Sequence, residues 1–372
     1  MKKFISLLLA ACMLLGLVSV ASAENTEWKV AMITDYGDIT DQSFNQTTYE
    51  AAKAFCEANG IAFDYYKPVS DSDADRIAQV EKAIDEGKNV IVMPGFAFAA
   101  TVAEVQDLYD DVKFIALDVS EFDLTDAGAS QLAPNVFTAV YQEELAGYMA
   151  GYAAVKLGYK HLGFLGGMAV PAVIRYGYGF VQGADAAAVE DGVAGDVVVE
   201  YVYGNQFYGD ADITAYMDNW YQTLGVEVVF ACGGGIYSSA AEAAVKVDGG
   251  KVIGVDVDQA ALIDSTYEKE GLTVTSAMKG LGATVNSLLA SVLDGTFDET
   301  YGGKTLNLGL VSGDDPAANY VQLGTTQWAD NFTEADYAAL VKGMFDGTVT
   351  VSNATEAGPE TTITYTEYGT IK

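Results

Sequence analysis

The chain is poor in the residues on which most enzymes and nucleic-acid-binding proteins rely. Its 372 residues hold one histidine, three cysteines, and 19 lysines and arginines against 52 aspartates and glutamates. With His161 as the single histidine, acid–base catalysis is left to carboxylates, and no cluster shows metal-ligand spacing; neither catalytic residues, a metal nor a cofactor is expected. The acidic excess opposes binding to nucleic acid and to anionic lipid surfaces. Cys56 and Cys232 sit in apolar surroundings (KAFCEA and VVFACGG) and read as small core residues on separate elements rather than as a disulfide. No GxGxxG follows the first strand, and GxSxG and Walker A sequences are absent. The many aspartates could supply a glycosidase pair, but nothing singles one out.

What the chain does have is apolar content: 50% hydrophobic and 19% charged, a globular composition with length enough for two α/β domains. Residues 1–23 have the form of an export signal, with Lys2-Lys3, an apolar stretch from Phe4, and Ala21-Ser22-Ala23 as a small-residue cleavage site. Leu9-Ala10-Ala11-Cys12 also fits a lipoprotein box, but only eight apolar residues precede Cys12. Cleavage after Ala23 is the preferred reading, with lipidation of Cys12 the alternative. No other stretch reaches the roughly 18 apolar residues needed to span a bilayer.

From Trp28 to Val119, strands and helices alternate: strands over 28–34, 61–69, 89–93 and 112–119, with helices over 42–59, 73–86 and 98–110 between them. This order predicts a parallel, doubly wound sheet. Thr40 or Asp41 can cap the first helix, and Gly60 can stop it. Residues 120–135 lack periodicity, and a strand resumes over 136–141 at a first crossing between lobes. A second β/α series follows, ending in the strand over 251–257, and the Thr- and Glu-rich tail has no strong period.

Apolar runs repeatedly end in polar or glycine-rich residues, most clearly in VIGVDVDQ (252–259). In open α/β sheets, ligands bind beyond the carboxyl ends of the strands. Asp118 and Asp256, with Lys279 after a third strand, offer acceptors and a donor to a hydroxyl-rich ligand. Asp35, Asp41 and Asn45 add polar groups near the end of the first strand. Phe44, Phe96, Phe98 and Phe207 lie in or beside strand-end loops, where two rings can sandwich a flat heterocycle. Each has a structural alternative: Phe44 as core, Asp41 and Asp118 as turn or capping residues, Lys279 as a solvated charge. Gly233-Gly234-Gly235 allows close backbone approach to a ligand.

The segments DQSFNQ (41–46), VIVMPGFAF (90–98), FIALDV (114–119), EELAGYMAGYAA (143–154), LGFLGGMAVPAVIRYGYGFVQGA (162–184), VIGVDVDQ (252–259) and TSAMKG (275–280) resemble the basic membrane protein family of substrate-binding proteins. That family serves ABC importers and includes the purine nucleoside receptor A type. The resemblance implies two Rossmann-like, doubly wound lobes joined by a three-strand hinge, the type 1 periplasmic-binding-protein fold. The expected division is lobe I over 24–135 and 258–304, lobe II over 136–257 and 305–348, and a C-terminal tail over 349–372. The resemblance further implies that Phe44 and Phe207 stack on a nucleoside base and that Asp35 and Asn45 hydrogen-bond it. Asp118, Asp256 and Lys279 then hold the ribose, with close backbone approach at Gly233 or Gly234. Asp256 and Asp258 compete for one role, and strand-end placement favours Asp256; Tyr208 competes with Phe207. The expected partners are a nucleoside and an ABC permease with its ATPase, outside the cytoplasm. Contact with the membrane is through the permease or a lipid anchor, and a monomer is expected. Riboflavin, another ring-plus-polyol ligand, is the alternative cargo, a sensory receptor of the same fold the alternative role, and a nucleoside or glycoside hydrolase the rival class.

Overall fold

The computed structural model describes residues 27–35 and 37–372. The expected export segment, with Cys12, lies outside the described residues. The first series runs β1 (Lys29–Ile33), α1 (Phe44–Asn59), β2 (Ala62–Tyr66), α2 (Asp73–Asp85), β3 (Val90–Pro94), α3 (Ala99–Val105), β4 (Lys113–Leu117), α4 (Glu121–Asp126) and β5 (Val136–Tyr141). The second runs α5 (Glu143–Lys156), β6 (His161–Gly166), α6 (Pro171–Glu190), β7 (Val198–Tyr203), α7 (Ala211–Asn219), β8 (Val228–Cys232), α8 (Tyr237–Ala244), β9 (Lys251–Asp256), α9 (Ala260–Thr266) and β10 (Thr273–Lys279). The chain ends with α10 (Leu281–Leu293), α11 (Phe297–Thr300), β11 (Lys304–Leu308), β12 (Val321–Leu323), α12 (Glu334–Phe345) and β13 (Thr364–Thr370).

Two sheets divide these strands, in the orders β11-β5-β4-β3-β1-β2 and β12-β10-β9-β8-β6-β7-β13. All pairings are parallel except β10 with β12. Central strands such as β3 (VIVMP) and β8 (VVFAC) are buried throughout, because helices cover both faces of a parallel sheet. The chain passes between lobes three times, from β5 to α5, from β10 to α10, and from β11 to β12.

The strands divide differently from the expected boundaries. The strand over 136–141 pairs with β4 and belongs to the first sheet, as does β11, which runs beside β5. The strand β10, expected in lobe I, pairs with β9 in lobe II. An apolar run shows that a strand is buried, not which neighbour it pairs with. The tail holds β13, which extends the second sheet beside β7. Its side chains are mostly exposed, so no apolar run announces it. In the aperiodic 120–135 stretch, Ser120 and Asp123 form a reciprocal capping box that starts α4.

The helices α5 and α6 interlock through four glycines. A Cβ on Gly147 or Gly151 would lie 2.0 Å from the carbonyl oxygens of Tyr176 and Phe180, and one on Gly179 or Gly183 would lie 2.1 and 2.0 Å from those of Glu144 and Tyr148. Each helix therefore rests its backbone on the other's. This closeness fixes Glu143, at the start of α5, against Arg175 in the first turns of α6.

Candidate functional site

Between the carboxyl ends of the two sheets lies a cleft of about 740 Å³, and all ten residues expected at the site line it: Asp35, Asp41, Phe44, Asn45, Asp118, Phe207, Gly233, Gly234, Asp256 and Lys279. Asp118 directly follows β4 and Asp256 ends β9, and both adopt left-handed backbone, at φ 60° and 64°. Aspartate tolerates that conformation better than most residues, and the turn it makes aims both carboxylates back across the strand ends.

Lys279, the last residue of β10, is the hub. Its Nζ lies 2.7 Å from Asp118 Oδ2, 3.4 Å from Glu143 Oε1 and 3.8 Å from Asp256 Oδ1. It also sits 4.6 Å from the ring centre of Phe44, 5.3 Å from Tyr141 and 5.9 Å from Tyr176. Burial alone would favour loss of its proton, but Asp118, Asp256 and Glu143 more than offset this and hold its pKa above the usual lysine range. Burial lifts Asp118 to about 6 against the pull of Lys279, with Glu143 adding to the rise. Burial likewise raises Asp256, opposed by Lys279 and by the 2.6 Å bond it accepts from Ser43 Oγ. The second cation of the cleft, Arg175, donates from Nε to Glu143 Oε2 at 2.7 Å.

Several residues keep their structural role as well. Asp41 accepts from the backbone N–H groups of Ser43, Asn45 and Gln46 and from Asn45 Nδ2, so it caps α1 from outside while lining the cleft. Ser43 holds the N-cap position, but its hydroxyl goes to Asp256 instead. Asp258 turns away to Thr325 and the start of α9, which leaves the strand-end position to Asp256. Phe96 lines the cleft, whereas Phe98 is wholly buried in the lobe I core. Phe207 is half-buried in the wall, and Tyr208, 63% exposed, stands at the rim. Gly233 and Gly234 have φ 144° and 52° and support Phe207. Cys56 lies buried in α1 and Cys232 at the end of β8, both as free thiols.

Sequence reading placed Gln259 at the end of the VIGVDVDQ strand without giving it a role, and it missed Glu143, Arg175, Tyr176 and Ser43. A lone arginine in the apolar run VIRYGYGF was a signal that a buried acid must be nearby; nothing local marks Ser43 or Gln259 as contacts between lobes. Gln259 accepts from Val255 N with Oε1 and donates from Nε2 to Gln42 O at 3.0 Å across the lobes. Three lining residues hold buried polar atoms with no hydrogen-bond partner: Asn45 Oδ1, Asp118 Oδ1 and Tyr176 Oη. Among the described residues no acidic, cysteine or histidine cluster could hold a metal ion, and no helix is long and apolar enough to cross a membrane. His161 lies at the far end of β6, 3.0 Å from Glu200.

Two parallel-sheet lobes, three crossovers and a polar-floored cleft between strand ends define a two-lobed solute-binding protein of the type 1 periplasmic fold. The sequence model described as ABC transporter substrate-binding protein PnrA-like (Bmp) matches residues 28–314, and the chain belongs to that family. It is 26% identical over 362 residues to the ABC transporter nucleoside-binding protein BmpA of Lactococcus lactis subsp. cremoris, a match covering 92% of this chain and 94% of that one. A solute-binding protein structure from Aeropyrum pernix K1 superposes with a TM-score of 0.66 at 19% identity, covering 87% of each chain. One from Conexibacter woesei gives 0.65 at 21% identity, covering 88% of this chain and 99% of that one. The family is one of extracytoplasmic substrate-binding proteins of ABC transporters.

Proposed function

We propose that the cleft binds a nucleoside, closing on its base between Phe44 and Phe207 and holding its ribose at Asp118, Asp256 and Lys279. The observation that carries this reading is the floor of the cleft. Two strand-end aspartates face one lysine, the Phe44 ring lies 4.6 Å from that lysine, Phe207 lines the same cleft, and Asp118 Oδ1 is buried and unpaired. Carboxylates accept from vicinal hydroxyls, and aromatic faces replace base stacking. Both cations are already engaged by carboxylates, so a phosphorylated ligand finds no counter-charge and is disfavoured. The protein then delivers its ligand to a membrane permease and its ATPase, as a monomer at the outer face of the membrane, exported with or without a lipid anchor at Cys12.

Equilibrium titration with inosine, guanosine, adenosine and uridine tests the proposal, and absence of binding to all four ends it. Weak or absent binding of the matching monophosphate is expected beside it. The cleft, at about 740 Å³, falls in the upper part of the range for small-molecule pockets. That volume supports riboflavin as a second reading, which native mass spectrometry of the purified protein distinguishes by the mass that co-purifies.

A further inference from the structure

We propose that Gly167 is a positioning residue for Phe207, and that its missing side chain sets the width of the slot between the two aromatic walls. This rests on the reading of Phe207 as a ligand-stacking ring. A Cβ on Gly167 would lie 2.4 Å from Cδ1 and 2.6 Å from Cε1 of Phe207. One on Gly233 would lie 2.8 Å from the same Cδ1 and 3.2 Å from the Gly167 Cα. The ring is therefore seated on bare backbone at the ends of two neighbouring strands, β6 and β8.

The two glycines differ in why they are glycine. Gly233 has φ 144°, a conformation that only glycine takes without strain, so its identity is explained by the backbone alone. Gly167 has no such φ, so left-handed backbone does not account for its identity. What excludes a methyl group there is the ring. Nor can the loop carrying the ring move aside easily, because its backbone is tied on several sides. Gly204 N donates to Gly166 O, Asn205 N to Gly167 O, and Gly235 N to Phe207 O, each at 2.8 Å. Asp210, at the loop's end, donates from its backbone N to Ser239 Oγ at 3.0 Å and is paired with Lys372. A side chain at position 167 displaces the ring rather than the loop, and the ring is itself part of the cleft wall.

The test is a double-mutant cycle on affinity, using whichever of the four nucleosides binds the wild type most tightly. Gly167→Ala is expected to weaken binding about ten-fold or more, the scale of losing one good stacking contact. In the Phe207→Ala background the same change is expected to cost less than about two-fold, because no ring remains to be displaced. A purely structural role for Gly167 predicts equal losses in both backgrounds, and that result, or an unaltered affinity in Gly167→Ala alone, overturns the proposal. If the wild type binds none of the four, the nucleoside reading falls, and a crystal structure of the Gly167→Ala variant still decides. A Phe207 ring turned into the cleft upholds the positioning role, and an unmoved ring refutes it.

Discussion

The two walls of the cleft are built from opposite materials. Lobe I contributes Asp35, Asp38, Asp41, Asp71, Asp118 and Asp123 and no cation, whereas lobe II contributes both cations, Arg175 and Lys279, with Asp256 as its one carboxylate. Much of the remaining lobe II wall is apolar or glycine: Met168, Val170, Pro171, Val173 and Gly233 to Gly235. The difference teaches that closure is electrostatically matched before any ligand enters. Lys279 of lobe II is neutralised by Asp118 of lobe I, and the excess acceptors that remain on lobe I call for a ligand rich in O–H and N–H donors.

Removing the cation breaks this match most severely. Lys279→Met leaves Asp118, Asp256 and Glu143 without their common partner in a buried site, and a loss of about 3–5 kcal/mol in unfolding free energy is expected. Denaturant unfolding at neutral and mildly acid pH checks it: the deficit should shrink at lower pH, where protonation relieves the repulsion. An undiminished deficit would show that packing around the lysine stem, not charge, is what is lost.

The aromatic walls come next. Phe44→Ala and Phe207→Ala are each expected to cost about 1–3 kcal/mol in nucleoside affinity by isothermal titration, the range for a base stacked on one ring. The two walls should respond differently in the unliganded protein. Phe44 packs on Lys279, so its removal should also lower the melting temperature, whereas Phe207, on a loop, should leave it little changed.

Titration of Asp118 gives an intermediate effect with a definite sign. Its folded pKa, raised by burial to about 6, lies above the unfolded value, so the protonated form is favoured in the native state. Its contribution to stability is thus fully present below the unfolded pKa near 4 and is lost as pH rises through about 6. Binding has the opposite slope, since a ribose hydroxyl donates to the ionised carboxylate: affinity should fall as pH drops through about 6. In Asp118→Asn that pH dependence should largely vanish.

The smallest effect is expected at Gln259, which touches lobe I without lining the cleft. Gln259→Ala removes one hydrogen bond between lobes, worth about 0.5–1.5 kcal/mol. The expected result is a few-fold loss of affinity with a more open unliganded form by small-angle scattering; unchanged scattering and affinity would show that the bond does not bias closure.

Much of this was legible in the sequence because a buried parallel strand declares itself twice, by its apolar run and by the abrupt polar residue that ends it. FIALD and VIGVD gave Asp118 and Asp256 in this way. Features that depend on a partner elsewhere were not legible. Ser43 reads as part of the first helix's opening turn until Asp256 is placed beside it, and TYTEYGT reads as loop because an edge strand need not be apolar. The lobe boundaries went astray for the same reason, since strand order is decided by contacts between distant segments.

That long reach has a consequence for how the molecule is made. Lobe I is not finished by its own series: β11 must come back to pair with β5, and the hydroxyls of Thr138 and Thr305, 2.7 Å apart, belong to residues 167 positions apart in the chain. Helices α5 and α6, by contrast, meet across a single intervening strand. Contacts so local form early, while a pairing across so long a loop must wait for the entropy of closing it to be met by other contacts. A chain emerging amino end first would therefore assemble the second lobe's helix pair while the first lobe still lacked an edge, and the hinge would be complete only once β11 and β12 had emerged.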